Sequence, residues 1–149
     1  GNAAPLPRAI GPNRLRHSSS ALALNPGLNS DDGGLEAPAG YVVRSTQEGQ
    51  SSWYGGSFHG QPTANGERFN QNALTAAHKT LPFGTRVRVI NPRTGQSVIV
   101  RINDRGPFVR GRIIDLSVAA AREIDTYNSG IAQVRLEILA PATTLEASR

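Results

Sequence analysis

Residues 97–108 read SVIVRINDRGPF, a segment that combines a strand pattern with a turn signal. From Val98 to Ile102 every second residue is a β-branched aliphatic, and this period of two is typical of a half-buried β-strand. The Gly-Pro pair that follows indicates a turn. Asp104 lies between the strand and this turn. We therefore expect its carboxylate to face a cleft and not a core.

The period of two recurs in other parts of the chain, which indicates a domain built mainly from strands. Aliphatic residues alternate with polar ones both before and after the opening segment, and short apolar stretches bounded by turn residues add further candidates. The additional strands are predicted at residues 49–54, 74–77, 86–89, 112–116 and 133–138.

Turn and helix signals complete the expected architecture. Residues 91–95 have turn chemistry and predict a hairpin with a loop of about four or five residues. One short helix is predicted at residues 117–124, where Ser117 is placed to cap its N-terminus. Short strands with a single helix indicate a small closed β-barrel, although periodicity does not give the strand order.

The composition divides the chain into three parts. With 149 residues, of which 38% are hydrophobic, the chain suits one modest domain with a real core. Residues 1–40 are rich in Pro, Gly, Asn and Ser and are predicted to form an N-terminal arm or linker. Residues 41–140 hold the predicted strands, and residues 141–149 are a short C-terminal tail. Whether the arm packs on the domain is left open.

The net charge of +5 belongs to the predicted domain, because the charges in residues 1–40 and in residues 141–149 cancel. A basic domain attracts polyanions such as nucleic acid, anionic lipid or acidic polysaccharide, although a charge excess also serves solubility. Aromatic residues make up only 5% of the chain and offer few surfaces for base stacking. Nucleic acid is therefore not expected as a partner.

Cysteine and apolar runs limit the other classes of site. The chain has no cysteine and three widely separated histidines, so we expect no disulfide, no metal site and no cofactor. The longest apolar runs are of strand length, well short of the roughly 20 residues that a membrane-spanning helix needs. The N-terminus also lacks a signal-peptide pattern. Membrane attachment is not evident, and we expect a soluble monomer.

Two more carboxylates accompany Asp104 on the predicted β scaffold. Asp115 lies inside an apolar strand, and Glu67 lies beside Gly66 in a turn. Three acids on such a scaffold indicate carbohydrate chemistry. Each acid also has a structural interpretation: Asp104 as a side chain that closes its turn, Glu67 as an exposed turn acid, and Asp115 as a buried hydrogen-bonded residue.

Six motifs, in the same order, resemble those of the rare lipoprotein A family over roughly residues 49–139. They are SWYG (52–55), FHG (58–60), TANGE (63–67), LTAAHKTLPFG (74–84), VIVRINDRGPF (98–108) and IDLS (114–117). The resemblance implies an all-β fold, a six-stranded double-psi β-barrel of the barwin and expansin type with one or two short helices. It also implies a bacterial envelope protein, periplasmic or secreted, with outer-membrane association of a longer precursor as one option.

The resemblance implies an endolytic peptidoglycan lytic transglycosylase. Such an enzyme cleaves the β-1,4 bond between N-acetylmuramic acid and N-acetylglucosamine and leaves 1,6-anhydro ends. Some members of the family are restricted to glycan strands without stem peptides, and the basic charge fits these anionic strands. The alternative is a non-catalytic, expansin-like module that binds cell-wall glycan. Basic side chains expected beside the cleft are Lys79, Arg101, Arg105, Arg110 and Arg112.

The same resemblance implies roles for individual residues. Asp104 takes the place of the catalytic acid, which then acts as the base. Glu67 supports the developing cation or shares in proton transfer, and His78 hydrogen-bonds to the carboxylates or to the substrate. The substrate-binding residues are predicted to be Tyr54, Asn65, Thr75, Arg105 and Asp115.

Neighbouring arginines oppose the role of a proton donor. Arg105 follows Asp104 and Arg68 follows Glu67, and a nearby cation lowers the pKa of a carboxyl group. Because successive strand residues point to opposite faces, we expect Arg105 to face away. We further hypothesise that the carboxyl groups of Glu67 and Asp104 lie close together, so that repulsion raises the pKa of one of them.

Overall fold

A computed structural model describes residues 36–142 of the chain. Within these residues there are six β-strands, one α-helix (α1, Val118–Glu123) and one 3₁₀ helix (Gly56–Phe58). The strands are β1 (Tyr41–Tyr54), β2 (Thr75–Ala77), β3 (Arg86–Ile90), β4 (Ser97–Asp104), β5 (Arg112–Ser117) and β6 (Ala132–Pro141). Most of the predicted tail and most of the predicted arm lie outside the described residues, so those two segments stay predictions.

The strands close into a barrel in the order β1-β5-β2-β4-β3-β6. Strand β1 pairs antiparallel with β6 and parallel with β5, while β2 pairs parallel with β4 and antiparallel with β5. Strand β3 is antiparallel to both β4 and β6. The expected closed barrel of six strands is confirmed, and the order adds that β2 lies between two strands that follow it in the chain.

The barrel interior is filled by alternate residues of the strands. Because successive side chains on a strand point to opposite faces, apolar residues at every second position give each strand one apolar face. The aliphatic side chains that meet there pack with Trp53, which is 5% exposed. These buried residues include Ala76, Val87, Val89, Val98, Val100, Ile102, Ile114, Leu116, Val134, Leu136 and Ile138.

On one side of the barrel the outward-facing residues are buried as well. The long connection from β1 to β2, residues 55–74, lies over them and is called the covering segment below. Phe69 of this segment stacks on Tyr54 with ring centroids 4.4 Å apart. The carbonyl oxygen of Ala73 accepts a hydrogen bond from the Ser117 hydroxyl at 2.7 Å. A second buried layer, partly polar, therefore forms between the sheet and the covering segment.

The predicted elements agree with the structure except at their ends. Strand β1 begins at Tyr41, not at residue 49, because its first half pairs with β6 as far as Pro141. Helix α1 is confirmed with Ser117 as its N-cap, whose hydroxyl accepts from the amide of Ala120 at 3.2 Å. Among residues 36–142, no helix is long and apolar enough to span a bilayer.

Candidate active site

Asp104 is the last residue of β4, and its side chain is partly exposed. Its carboxylate accepts three hydrogen bonds. The Tyr54 hydroxyl donates to Oδ2 at 3.1 Å, while the amides of Ala64 and Arg105 donate to Oδ1 at 2.9 Å each. These donors come from β1, from the covering segment and from the residue after β4. They fix the orientation of a carboxylate that solvent reaches.

A β-bulge at the end of β4 brings two consecutive side chains into the site. Ala76 of β2 pairs with Ile102, but the next residue, Ala77, pairs with Asp104, so Asn103 is the extra residue. A bulge redirects side chains that would otherwise alternate between the faces of a sheet. Here Asn103 donates to Glu67 Oε2 at 3.0 Å, while Asp104 accepts from Tyr54.

Glu67 is held by a bidentate ion pair with Arg101. The two guanidinium nitrogens donate to Oε2 at 2.7 Å and to Oε1 at 3.1 Å. The amide groups of Asn65 and Asn103 also donate to Oε2, at 3.2 and 3.0 Å. The hydrogen bonds from Arg101 are the main cause of a pKa of about 2 for Glu67. Glu67 is therefore an anion at neutral pH.

The carboxylates of Asp104, Asp115 and Glu67 all act on one residue, Tyr54. The Tyr54 hydroxyl binds Asp104, and its pKa is raised by burial and then by the charges of Asp104, Asp115 and Glu67. The acids therefore share one side of the barrel around Tyr54. The expected rise in pKa is wrong for Glu67, however, because Arg101 neutralises the repulsion and lowers the value instead.

Two predicted substrate-binding residues are buried behind the site. Asp115 is 0% exposed and accepts a hydrogen bond from the Ser52 hydroxyl at 2.9 Å, while Thr75 is 3% exposed. Burial is the main reason that the pKa of Asp115 is raised to about 6. Among residues 36–142, Asp115 Oδ2 and Thr75 Oγ1 are buried without a hydrogen-bond partner. Neither side chain presents surface to a sugar in this structure.

The ring nitrogens of His78 have partners other than the carboxylates, so the expected hydrogen bond to them is not formed. Its Nδ1 accepts from the amides of Thr80 and Leu81, both at 3.1 Å, and its Nε2 lies 3.0 Å from Oε1 of Gln47. Nδ1 therefore carries no proton, and Nε2 is the donor. Burial is the main cause of a pKa of about 4 for His78. The link to the site is through the main chain, because the His78 amide donates to the Asp104 carbonyl at 3.1 Å.

Arg105 does not direct its guanidinium at the Asp104 carboxylate. The group lies over the Phe83 ring, 4.1 Å from the centroid, and donates to the carbonyl oxygen of His78 at 3.2 Å. This placement agrees with the expectation that Arg105 faces away. Sequence reasoning missed the roles of Asn103 and Phe83, and it placed Arg101 in a patch for anionic glycan although Arg101 is the partner of Glu67.

A comparison with family models gives a match over residues 46–136 to the family described as "Lytic transglycolase", the double-psi β-barrel family. The chain belongs to this family. The matched region contains every predicted site residue. Relatives that are 51–63% identical to this chain are named RlpA, so the resemblance to the rare lipoprotein A family is confirmed.

Three relatives show how much of a family member this chain represents. The protein from Synechocystis, "Probable endolytic peptidoglycan transglycosylase RlpA", is 63% identical over 101 residues, which are 68% of this chain and 32% of the relative. The Nostoc protein of the same name is 51% identical and matches 93% of this chain and 36% of its own length. The "Endolytic peptidoglycan transglycosylase RlpA" of Neisseria meningitidis is 55% identical, with 70% and 44% covered. The chain thus spans less than half of these relatives.

Solved structures confirm the fold of this lytic transglycolase family member. Streptomyces papain inhibitor superposes with a TM-score of 0.53 at 21% identity and covers 64% of this chain and 96% of its own. An expansin from Clavibacter michiganensis gives 0.53 at 18% identity, covering 64% and 51%, and its complex with cellohexaose gives 0.51. The expected barrel of the barwin and expansin type is therefore confirmed.

Proposed function

We propose that the chain is the catalytic domain of an endolytic peptidoglycan lytic transglycosylase, acting as a monomer in the bacterial envelope, in the periplasm or outside the cell. The observation that carries the proposal is the placement of Asp104. Its carboxylate is partly exposed and oriented by three donors, and Asn103, the residue before it, holds the anionic Glu67. The names of the relatives support the same activity.

The reaction needs one group that first donates and then accepts a proton. Protonated Asp104 donates to the oxygen that bridges N-acetylmuramic acid and N-acetylglucosamine, and the bond from this oxygen to the muramic C1 breaks. The electron pair leaves with the N-acetylglucosamine. The Asp104 carboxylate then takes the proton of the muramic C6 hydroxyl as that oxygen bonds to C1. The product is a 1,6-anhydro end, and no water is consumed.

Glu67 contributes charge and not a proton. Cleavage passes through a transition state with positive charge on the sugar ring, and a fixed anion nearby stabilises it. Arg101, Asn65 and Asn103 keep Glu67 ionised and oriented, as their hydrogen bonds to its carboxylate indicate. A pKa of about 2 disfavours a share for Glu67 in proton transfer.

Residues behind the site position the reacting groups. Tyr54 orients Asp104 through its hydroxyl, and His78 holds the Asp104 main chain through its amide. Asn65 and Arg105 lie at the rim of the site, where they remain candidates for contact with the substrate. Asp115 is buried behind the site, where it accepts a hydrogen bond from the Ser52 hydroxyl.

Glycan strands without stem peptides are the proposed preferred substrate. Their muramic acids carry free lactyl carboxylates, so the strand is an anionic polymer, and the chain has a net charge of +5. Lys79 and Arg110 are exposed cations that attract such a strand. Arg101 is occupied by Glu67 and is not counted with them.

The experiment is mass analysis of purified sacculi, intact and amidase-treated, after incubation with the chain and with Asp104→Asn. We expect 1,6-anhydromuramic ends from the unaltered chain, more from treated sacculi, and a rate at least about 100-fold lower with Asp104→Asn. The control Asp125→Asn makes the same change at an exposed site and is expected to cleave normally. Binding without any new saccharide ends would instead identify the expansin-like alternative.

A further inference from the structure

A groove of about 520 Å³ lies beside the proposed site. It is formed by the end of β6, the start of β1 and the turn that leads into β3. Phe83 and Arg86 line it on one side, and Tyr41, Arg44 and Leu139 line it on the other.

Two residues of the groove adjoin neighbours of the catalytic carboxylates. Phe83 lines the groove and its ring also carries the guanidinium of Arg105, the residue after Asp104. Arg86 is directly opposite Arg101 in the antiparallel ladder of β3 and β4. Directly opposite residues place their Cβ atoms about 4.5–5.5 Å apart on one face of a sheet. Since Arg101 holds Glu67, the groove begins next to the proposed cleavage site.

Two exposed arginines give the groove its charge. Among residues 36–142, no acidic residue lines the groove. The arginines that form ion pairs in this part of the chain are Arg88, Arg101 and Arg135, and none of them lines the groove. Arg44 and Arg86 are both exposed to solvent. The groove therefore presents positive charge over an apolar lining.

Arg44 owes its position to a bulge in β1. Val43 pairs with Leu139 and Ser45 pairs with Ile138, so Arg44 is the extra residue between them. A bulge directs the side chain of the extra residue away from the regular alternation, and such irregularities often lie next to functional sites. The bulge places a cation in the groove wall opposite Phe83, which is 41% exposed.

We infer that this groove binds the continuation of the glycan strand on one side of the bond that is cleaved, and that Arg44 and Arg86 pair with free lactyl carboxylates of its muramic acids. Sugar rings offer apolar C–H faces to aromatic side chains such as Phe83, and guanidinium groups form strong, directional hydrogen bonds with carboxylates. The inference rests on the proposed function, because only a strand cleaved at Asp104 continues into this groove. The groove and its two arginines would hold the strand beyond the cleaved bond.

The test measures binding with the cleavage step removed. Asp104→Asn is made in the full chain, and the affinity for peptide-free glycan strands is compared with that for the same strands after their carboxyl groups are converted to amides. Adding Arg44→Gln and Arg86→Gln together is expected to weaken binding of the charged strands roughly ten-fold and to leave the amidated strands unchanged. Each single change is expected to weaken it about three-fold.

Arg93→Gln is the matched control, because Arg93 is an exposed arginine in the turn at the other end of β3. Its effect on affinity is expected to be small, and thermal unfolding of each variant checks that the barrel is intact. Groove variants that bind charged strands as well as the control does would overturn the inference. So would a loss confined to peptide-bearing sacculi, which would mean that the groove holds stem peptide.

The proposed function is tested separately, by the anhydro ends that the unaltered chain produces. Normal cleavage with no effect of the groove variants on binding would leave the activity standing and refute the groove. Failure to cleave any wall preparation would refute the activity, and the groove assignment that rests on it would fall as well.

Discussion

At the scale of single residues, Tyr54 contacts both the covering segment and the catalytic carboxylate. Its ring is fixed by Phe69, and its hydroxyl donates to Asp104 Oδ2 at 3.1 Å. Burial, followed by the nearby carboxylates, raises its pKa well above the ordinary value for tyrosine. The hydroxyl therefore keeps its proton at any physiological pH and is always a donor. Removing it tests whether the orientation of Asp104 matters for catalysis.

We expect Tyr54→Phe to lower kcat about ten-fold with a much smaller change in KM, because the phenyl ring still packs on Phe69 while Asp104 loses one of its donors. Steady-state kinetics on peptide-free strands measures both constants. Tyr127→Phe is the control, since Tyr127 stacks on Trp53 in another part of the barrel. Equal kcat values for the two variants would remove Tyr54 from the mechanism.

Glu67 shows how one partner decides the role of an acid. A carboxylate in a turn beside glycine is free to be an acid, a base or a spectator, and its own sequence neighbours do not choose among these. Arg101 makes the choice by holding both oxygens. Nothing in the sequence marks Arg101 as that partner, because the two residues meet only when β4 and the covering segment pack together.

At the scale of elements, the regular strands were predictable and the irregular segments were not. Alternating apolar residues and short apolar stretches gave most of the length of every strand except β1, because each strand packs one face on a common core. The first half of β1 escaped prediction, since residues 41–50 carry mostly polar side chains and are held by pairing with β6. Strand order also escaped, because periodicity reports burial and not neighbours.

The family motifs predicted most residues of the candidate site, but not which of them are buried. Tyr54, Asn65, Glu67 and Asp104 do meet as one cluster. The burial of Asp115 behind them depends on side chains that meet only in the folded barrel. No local pattern in the sequence predicts the buried layer between the sheet and the covering segment.

Close packing of the covering segment depends on Gly55. A Cβ atom there would lie 2.4 Å from Val118 Cγ2 and 2.7 Å from Gln71 Oε1, and Gln71 Oε1 also accepts from the Gly56 amide. We expect Gly55→Ala to displace the covering segment, to lower the free energy of unfolding by about 1–3 kcal/mol and to reduce kcat several-fold. Urea unfolding and kinetics well below the melting temperature measure the two effects.

Gly49→Ala is the matched control for this prediction. Its Cβ atom would lie 2.7 Å from the Ile113 side chain, so it crowds the other end of the β1 and β5 pair without touching the covering segment. We expect a similar loss of stability with kcat retained. If both variants keep full kcat, the covering segment does not control the site.

At the scale of the whole molecule, two buried titratable groups act on stability in opposite directions. The pKa of His78 is lowered to about 4, so its contribution to stability is complete above the ordinary histidine value and is lost as the pH falls towards 4. The pKa of Asp115 is raised to about 6, so its contribution is complete below the ordinary aspartate value and is lost as the pH rises through 6. Between pH 4 and pH 6 the two slopes oppose each other.

We therefore expect the free energy of unfolding of the unaltered chain to be nearly flat between about pH 4.5 and pH 6, and each single variant to reveal the slope of the other group. Asp115→Asn retains an acceptor for Ser52 and leaves His78 alone, so stability is expected to rise with pH, by up to about 1.4 kcal/mol per pH unit. His78→Asn retains an acceptor for the amides of Thr80 and Leu81, and its stability is expected to fall with pH over the same range. Urea unfolding at half-unit steps of pH gives the three curves. Parallel curves would mean that neither group titrates as its burial requires, whereas opposite slopes would show that the buried acid and the buried base offset each other.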